Sequence, residues 1–124
     1  MLDLYLAKPA PAQLATDLSE LTIEHIAPQA LRNDPIELQN AGINDAEDIH
    51  KLGNLCLLTM PENNELSDHN FSEKKRIVAS WNHEPFCQLT RVVYIQHPSN
   101  TWGSQDMVTR EFDLANRAKQ VFSF

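Results

Sequence analysis

Three short segments of the chain carry polar side chains that could work together chemically. Each segment mixes these groups with apolar residues: LTIEHIAPQ (21–29), KLGNLCLLT (51–59) and NNELSDHNFSEKK (63–75). The first contains Glu24 and His25 side by side, the second contains Asn54, and the third opens with Asn63. A carboxylate, an imidazole and two amides provide a proton acceptor and several oxygen donors. Two strands and a helix that bring such groups together have the layout of a metal site.

The residues around these polar groups predict the elements that position them. In the first segment apolar residues flank the acid and the histidine, and Pro28 ends the run, which predicts a short strand. Gly53 breaks the chain before the apolar run at 55–58, which predicts a second short strand. Asn63 is expected to open a polar turn that leads into a helix. Asn70, with a glutamate three residues later, is the predicted N-cap of that helix.

The order and spacing of the three motifs resemble a known family of nucleases. The motifs are EHIAPQ at 24–29, LGNL at 52–55 and NxxLSDxxFxxK at 63–74. Together they resemble the HNH nuclease domain at the C-terminal end of GmrSD-type modification-dependent restriction enzymes. The order of an acid-histidine pair and two asparagines also resembles the HNH domain of RNA-guided DNA nucleases. The resemblance extends over roughly residues 20–122, because the tail also matches the closing helix pattern of the GmrSD-type family.

This resemblance implies a fold class and a domain organisation. The expected fold is α+β, with a ββα-metal (HNH, His-Me finger) core and additional flanking helices. We expect one domain over residues 1–124, since this length is that of a single domain. Its core motif would occupy 21–82, and its C-terminal helical part 86–124.

The resemblance also implies how the polar residues would hydrolyse a phosphodiester bond. His25 would be the general base, because an imidazole accepts a proton near neutral pH. Glu24 and Asn63 would be the metal ligands, and such oxygen donors favour Mg²⁺, with Mn²⁺ able to substitute. Asn54 would assist catalysis by orienting the imidazole. Asn64 is an alternative to Asn63, although Asn63 better keeps the spacing of the motif.

The charge of the chain is unusual for a protein that holds DNA by itself. Ten basic residues face 17 acidic ones, for a net charge of −7, whereas DNA-binding surfaces neutralise phosphates with clustered Lys and Arg. A dense basic cluster lies at 74–76. The resemblance implies that Lys74 contacts a phosphate, and Lys75 in the same cluster is also expected to contact nucleic acid. The resemblance implies DNA as substrate, in an anti-phage or restriction system. Because of the acidic charge, we also expect a protein partner or fused domain that supplies recognition or NTP hydrolysis.

The alternative is a non-catalytic interaction subunit that keeps the HNH fold and binds a partner protein. The acidic charge favours this alternative. His50 precedes the second motif and could line the site, but the surface is the expected place for His50, His69, His83 and His97. Cys56 and Cys87 have no CxxC spacing, which predicts buried thiols rather than a disulfide or a zinc site.

No apolar run of about 18 residues and no secretory signal is present, so we expect a cytoplasmic protein without a membrane span.

Less specific patterns predict the remaining elements. The end of a helix is expected at 2–6, and a short turn of helix or an irregular approach to the first strand at 14–21. A long connection is expected at 30–51, where the residues have turn or cap chemistry and Asp45 could cap a short helix ending at Leu52. The run 89–95 favours a helix, although its β-branched residues leave a strand open. Ser104 is the expected cap of a final helix.

Overall fold

The computed structural model describes residues 21–122 of the protein. The elements expected at 2–6 and 14–21 lie outside these residues, apart from Leu21. The described residues form two compact units. The first unit consists of residues 21–24 and 56–100, and the second of residues 25–55 and 101–122.

Within residues 21–122 the sheet has two strands, β1 (Leu21–His25) and β2 (Leu55–Thr59). Thr22 Oγ1 donates a hydrogen bond to the carbonyl of Leu58, and the amide of Ile26 donates to the carbonyl of Asn54. Residue numbers therefore rise along one strand as they fall along the other, so the pair is antiparallel. Both strands lie where the sequence predicts them.

The burial of β1 is reversed relative to that of an ordinary strand. Glu24 is buried, whereas the apolar side chain of Ile23 is 66 % exposed. Successive side chains of a strand point to opposite faces. The acid thus lies on the interior face, and a buried charged group requires a partner there.

Helix α2 (Met60–Leu66) follows β2 directly. Its N-terminus is a capping box, in which the Thr59 hydroxyl accepts from the amide of Glu62 and the Glu62 carboxylate accepts from the amide of Thr59. The expectation that Asn63 opens a polar turn is wrong. Helix α2 begins at Met60, because Thr59 and Glu62 together satisfy its first amides, and Asn63 lies in its middle.

Two more helices belong to the described part of the first unit. Helix α3 (Phe71–Ser80) begins where predicted, since the side chain of Asn70 accepts a hydrogen bond from the amide of Glu73. The run after Pro85 forms α4 (Gln88–Tyr94), so the helix rather than the strand is confirmed.

The second unit contains the segment that the turn residues predict to be a long connection. This segment is largely helical, and the prediction is wrong for that reason. It holds the α-helix α1 (Pro35–Ala41) and the 3-10 helices Gln29–Asn33 and Ala46–His50, and a further 3-10 helix, Leu52–Asn54, follows it. Asp34 caps α1 and Gly42 ends it at a φ of 79°, which shows that these turn residues are helix boundaries. Asp45 caps the helix Ala46–His50, as expected, although this helix ends at His50 rather than Leu52.

The final helix, α5 (Ser104–Phe122), contacts the residues before β2 within the second unit. Gly53 makes this contact possible, because a Cβ atom at this position would lie 2.0 Å from the carbonyl oxygen of Met107. Arg110 donates to the carbonyl of Leu55, and Glu111 accepts from the amide of Gly53. Helix α5 thereby fixes the chain beside Asn54.

Ser104 does not cap α5, contrary to the prediction. Its hydroxyl donates to the carboxylate of Asp48 at 2.6 Å and accepts from the amide of Asn44. The side chain of Asp106 accepts instead from the amide of Gly103, the residue before the helix. Ser104 consequently joins the start of α5 to the segment before β2.

The two cysteines and the lengths of the helices can be compared with the sequence predictions. Cys56 and Cys87 are both buried thiols, as predicted. None of the helices within residues 21–122 has the length and apolar character that crossing a bilayer requires.

The class predicted from the motifs, α+β, is confirmed. An antiparallel strand pair followed by helices gives the strand–strand–helix order of an HNH-type fold.

Candidate functional site

The most unusual group of the first unit is a buried ion pair between Glu24 and Lys74. The ammonium Nζ of Lys74 lies 3.3 Å from Oε1 of Glu24. The side chain of Lys74 has no exposed surface, and that of Glu24 is only 9 % exposed. The acid expected to hold a metal ion is therefore held by a cation of the protein itself.

The sequence of α3 explains why a lysine is buried there. Phe71, Lys74 and Val78 are the buried residues of the helix, and their spacing places them on one face. Burial lowers the pKa of the Lys74 ammonium, and the carboxylate of Glu24 is the first of the groups that oppose this effect. A buried ammonium is stabilised by such a partner, because an unpaired charge in the interior is costly.

The other members of the basic cluster also make contacts within the protein. Lys75 Nζ donates to the backbone carbonyls of His97 and Ser99 at 2.7 and 2.8 Å. Arg76 forms an ion pair with Glu73 on the surface of α3. The cluster that is expected to contact DNA thus has Lys74 buried, and its neighbours bound to carbonyl and carboxylate oxygens.

Asn63, the second expected ligand, also belongs to the first unit. It lies in the middle of α2, where it is half-buried, whereas Asn64 is exposed. Its carbonyl accepts a hydrogen bond from the amide of Ser67 at the end of the helix. Its side-chain amide is therefore carried by a regular helix whose ends are both fixed.

His25, the expected base, belongs to the second unit and lies at the end of β1. The residue is half-buried. Nε2 of Gln29 lies 3.2 Å from both ring nitrogens of His25. An atom equally distant from both nitrogens cannot lie in line with the lone pair of either one, so the amide of Gln29 contacts the ring between them.

A second imidazole lies beside His25. The ring centroids of His25 and His50 are 6.0 Å apart, and the rings meet edge to face at 81°. His50 is exposed, as expected for a surface residue, and closes the 3-10 helix Ala46–His50. Gln29 and His50 are neighbours of the expected base that the three motifs do not identify as functional. The signals for them were the position of Gln29 at the end of the first motif and of His50 just before the second.

The side chain of Asn54 contacts the backbone near each of these two imidazoles. Its side chain is completely buried. Oδ1 accepts from the amide of Ala27 at 2.8 Å, and Nδ2 donates to the carbonyls of Ala27 and Ile49 at 3.0 and 2.8 Å. Ala27 is two residues after His25, and Ile49 directly precedes His50. The hydrogen bonds of Asn54 therefore fix the chain that carries both rings.

The donors agree in chemistry with the hard cation that the motifs predict. Mg²⁺ is commonly bound through one or two carboxylates, with waters and substrate phosphate oxygens as further ligands. Glu24 offers a carboxylate and Asn63 an amide oxygen, so the residue types fit that ion. Across residues 21–122, no three His, Cys, Asp or Glu side chains form a group able to hold a metal.

Comparison with known proteins assigns the chain to a family. No curated protein and no solved structure matches it. The model of the family "GmrSD restriction endonucleases, C-terminal domain" matches residues 3–117. This match includes all three motifs, both strands and most of α5. The chain therefore belongs to the family of C-terminal domains of GmrSD restriction endonucleases.

Proposed function

We propose that the protein is a metal-dependent endonuclease domain that hydrolyses phosphodiester bonds of DNA, with His25 as general base. The observation that carries the proposal is the combination of partial exposure and fixed backbone at His25. It is a half-buried imidazole at a strand end, contacted by Gln29 and carried by a backbone that Asn54 fixes. A base must reach a water molecule and also keep its orientation. This combination of access and support meets both requirements.

In the proposed reaction, His25 accepts a proton from the water that attacks phosphorus. A new bond forms between the water oxygen and phosphorus, and the bond from phosphorus to the leaving sugar oxygen breaks. Glu24 and Asn63 would hold the Mg²⁺ ion, which when bound would stabilise the negative charge on the phosphate and on the leaving oxygen. Asn54 keeps the backbone of His25 in place as the ring gains its proton.

The DNA-binding contribution of this domain is proposed to be small. Its net charge is −7, and the lysines and arginine at 74–76 already contact groups of the protein. Non-specific DNA affinity depends on cations that neutralise phosphates. A partner subunit or fused domain would therefore supply recognition, in a restriction or anti-phage system.

The test is a plasmid nicking assay with Mg²⁺ or Mn²⁺. We expect His25→Ala to reduce nicking by at least about 100-fold, since general base catalysis contributes roughly this much. His83→Ala is the matched control, because His83 is an exposed imidazole in the first unit. Equal nicking by His25→Ala and the unaltered protein would exclude His25 as the base.

A non-catalytic interaction subunit is the second candidate, and the same charge observation favours it. An acidic domain in which the basic cluster at 74–76 already contacts groups of the protein is suited to a basic protein partner. Under this alternative, the folded protein would cut no DNA with either metal, with or without the other parts of the restriction system. Nicking that depends on His25 would exclude it.

A further inference from the structure

We propose that Lys74 is a positioning residue for the metal site, an internal cation that orients Glu24 and weakens binding of a free divalent ion. This inference rests on the proposed function, in which Glu24 is a metal ligand. It assigns Lys74 a role different from the phosphate contact that the motif implies. The observation behind it is the 3.3 Å ion pair between two buried side chains.

The ammonium of Lys74 is not accessible to a DNA phosphate. A lysine that binds a DNA phosphate must present its ammonium to solvent, and the side chain of Lys74 has no exposed surface. The adjacent Lys75 is half-buried and contacts two backbone carbonyls instead. Lys74 is thus the lysine of this cluster whose charge is directed at the expected ligand.

Lys74 also orients the carboxylate of Glu24. A carboxylate has two oxygens, and an ammonium fixed on Oε1 of Glu24 determines the direction of the other one. Lys74 is itself fixed, because it belongs to the buried face of α3 together with Phe71 and Val78. A ligand held in this way needs little reorganisation when a metal ion binds.

The positive charge of Lys74 opposes the binding of a free divalent ion to Glu24. A divalent ion that approaches Glu24 also meets the ammonium of Lys74, and like charges repel strongly where little water separates them. The pair Glu24–Lys74 is already neutral overall, so a free ion gains little from it. A DNA phosphate adds negative charge at the site, and metal affinity should therefore rise when DNA is present.

The experiment measures Mn²⁺ affinity by calorimetry in the DNA-free protein. We expect Lys74→Gln, which removes the charge but keeps a hydrogen-bond donor, to bind Mn²⁺ about 10-fold more tightly than the unaltered protein. Lys74→Arg keeps the charge and should bind as weakly as the unaltered protein. Lys75→Gln is the matched control, because it removes the same charge from the next position of α3 and should change the affinity less than about twofold.

A purely structural ion pair would give a different pattern. Lys74→Gln would then lower the free energy of unfolding and leave Mn²⁺ affinity unchanged or weaker, and that result would overturn the inference. If Lys74→Gln does not fold, Lys74→Met is the second variant, because it removes the same charge with an apolar side chain of similar length. It should also bind Mn²⁺ more tightly than the unaltered protein, and an unchanged or weaker affinity would contradict the inference.

Failure of the inference can be separated from failure of the proposed function. Glu24→Gln should weaken Mn²⁺ binding if Glu24 is a ligand, regardless of the role of Lys74. If the unaltered protein and Glu24→Gln bind Mn²⁺ equally, the proposed metal site is wrong. If Glu24→Gln weakens binding and Lys74→Gln equals Lys75→Gln, only the role of Lys74 is wrong.

Discussion

Replacing Asn54 by alanine tests whether this residue holds the backbone near His25 and next to His50. The substitution removes three hydrogen bonds, two to Ala27 and one to Ile49. It leaves one amide and two carbonyl groups without that partner in a region where the side chain of Asn54 is completely buried. An unsatisfied buried polar group costs about 1–3 kcal/mol. With the lower value for each of the three groups, the free energy of unfolding should fall by about 3 kcal/mol.

Urea unfolding followed by far-UV circular dichroism measures this change. A loss of about 3 kcal/mol is a large part of the 5–15 kcal/mol that stabilises a typical domain. The midpoint should fall by about 1–3 M urea without a change in slope, since the slope depends on the surface exposed on unfolding. Asn64→Ala is the control, because Asn64 is exposed in α2, and it should change stability by at most about 0.5 kcal/mol.

The activity of the same variant distinguishes two roles for Asn54. If Asn54 positions His25 through the backbone, nicking should fall under conditions where the variant remains folded, and Mn²⁺ affinity should not change. A loss of stability below about 1 kcal/mol would refute the view that the three hydrogen bonds hold this region. Full nicking activity in the folded variant would refute the positioning role.

Three further predictions concern the second unit. Gly53→Ala should destabilise the protein by at least about 2 kcal/mol in urea unfolding, because the added Cβ would lie 2.0 Å from the carbonyl oxygen of Met107; an unchanged midpoint would contradict this close contact. Gln29→Ala should slow nicking with unchanged Mn²⁺ affinity, because its amide contacts the ring of His25, and unchanged rates would show that this contact is dispensable. The Ser104 hydroxyl and Lys51 lower the pKa of the Asp48 carboxyl below its usual value of 3.8. Asp48 should therefore stabilise the protein at neutral pH and lose this effect as pH falls through the lowered pKa, so Asp48→Asn should show less acid destabilisation between pH 6 and about 2 in thermal unfolding.

Several elements were predictable because their signals lie within a few residues. The two strands follow from short apolar runs bounded by Pro28 and Gly53, and the start of α3 follows from the cap at Asn70. The start of α2 was equally predictable from the sequence, since Thr59 and Glu62 have the spacing of a capping box. A helix end is set by hydrogen bonds to its own neighbours, so local sequence is sufficient there.

The connection before β2 shows where the same signals mislead. By residue type Asp34 and Gly42 fit either a turn in a long connection or a helix cap, and in the structure they are the N-cap and the C-cap of α1. Ser104 has the residue type of a cap, but its hydroxyl bonds to Asp48, 56 residues away. Residue type shows that such a group will find a partner, and the fold determines which one.

The motifs alone were sufficient to indicate the family, the α+β class and the set of polar residues, because these depend on residue type and order along the chain. The tertiary structure decided what those residues contact. Asn54 binds the backbone at Ala27 and Ile49, and Lys74 binds Glu24 from 50 positions away. Burial converts a lysine that resembles a phosphate ligand into the partner of an acid, because an interior charge needs a compensating charge nearby. Which side chains become interior depends on how distant segments pack, and no local pattern specifies that.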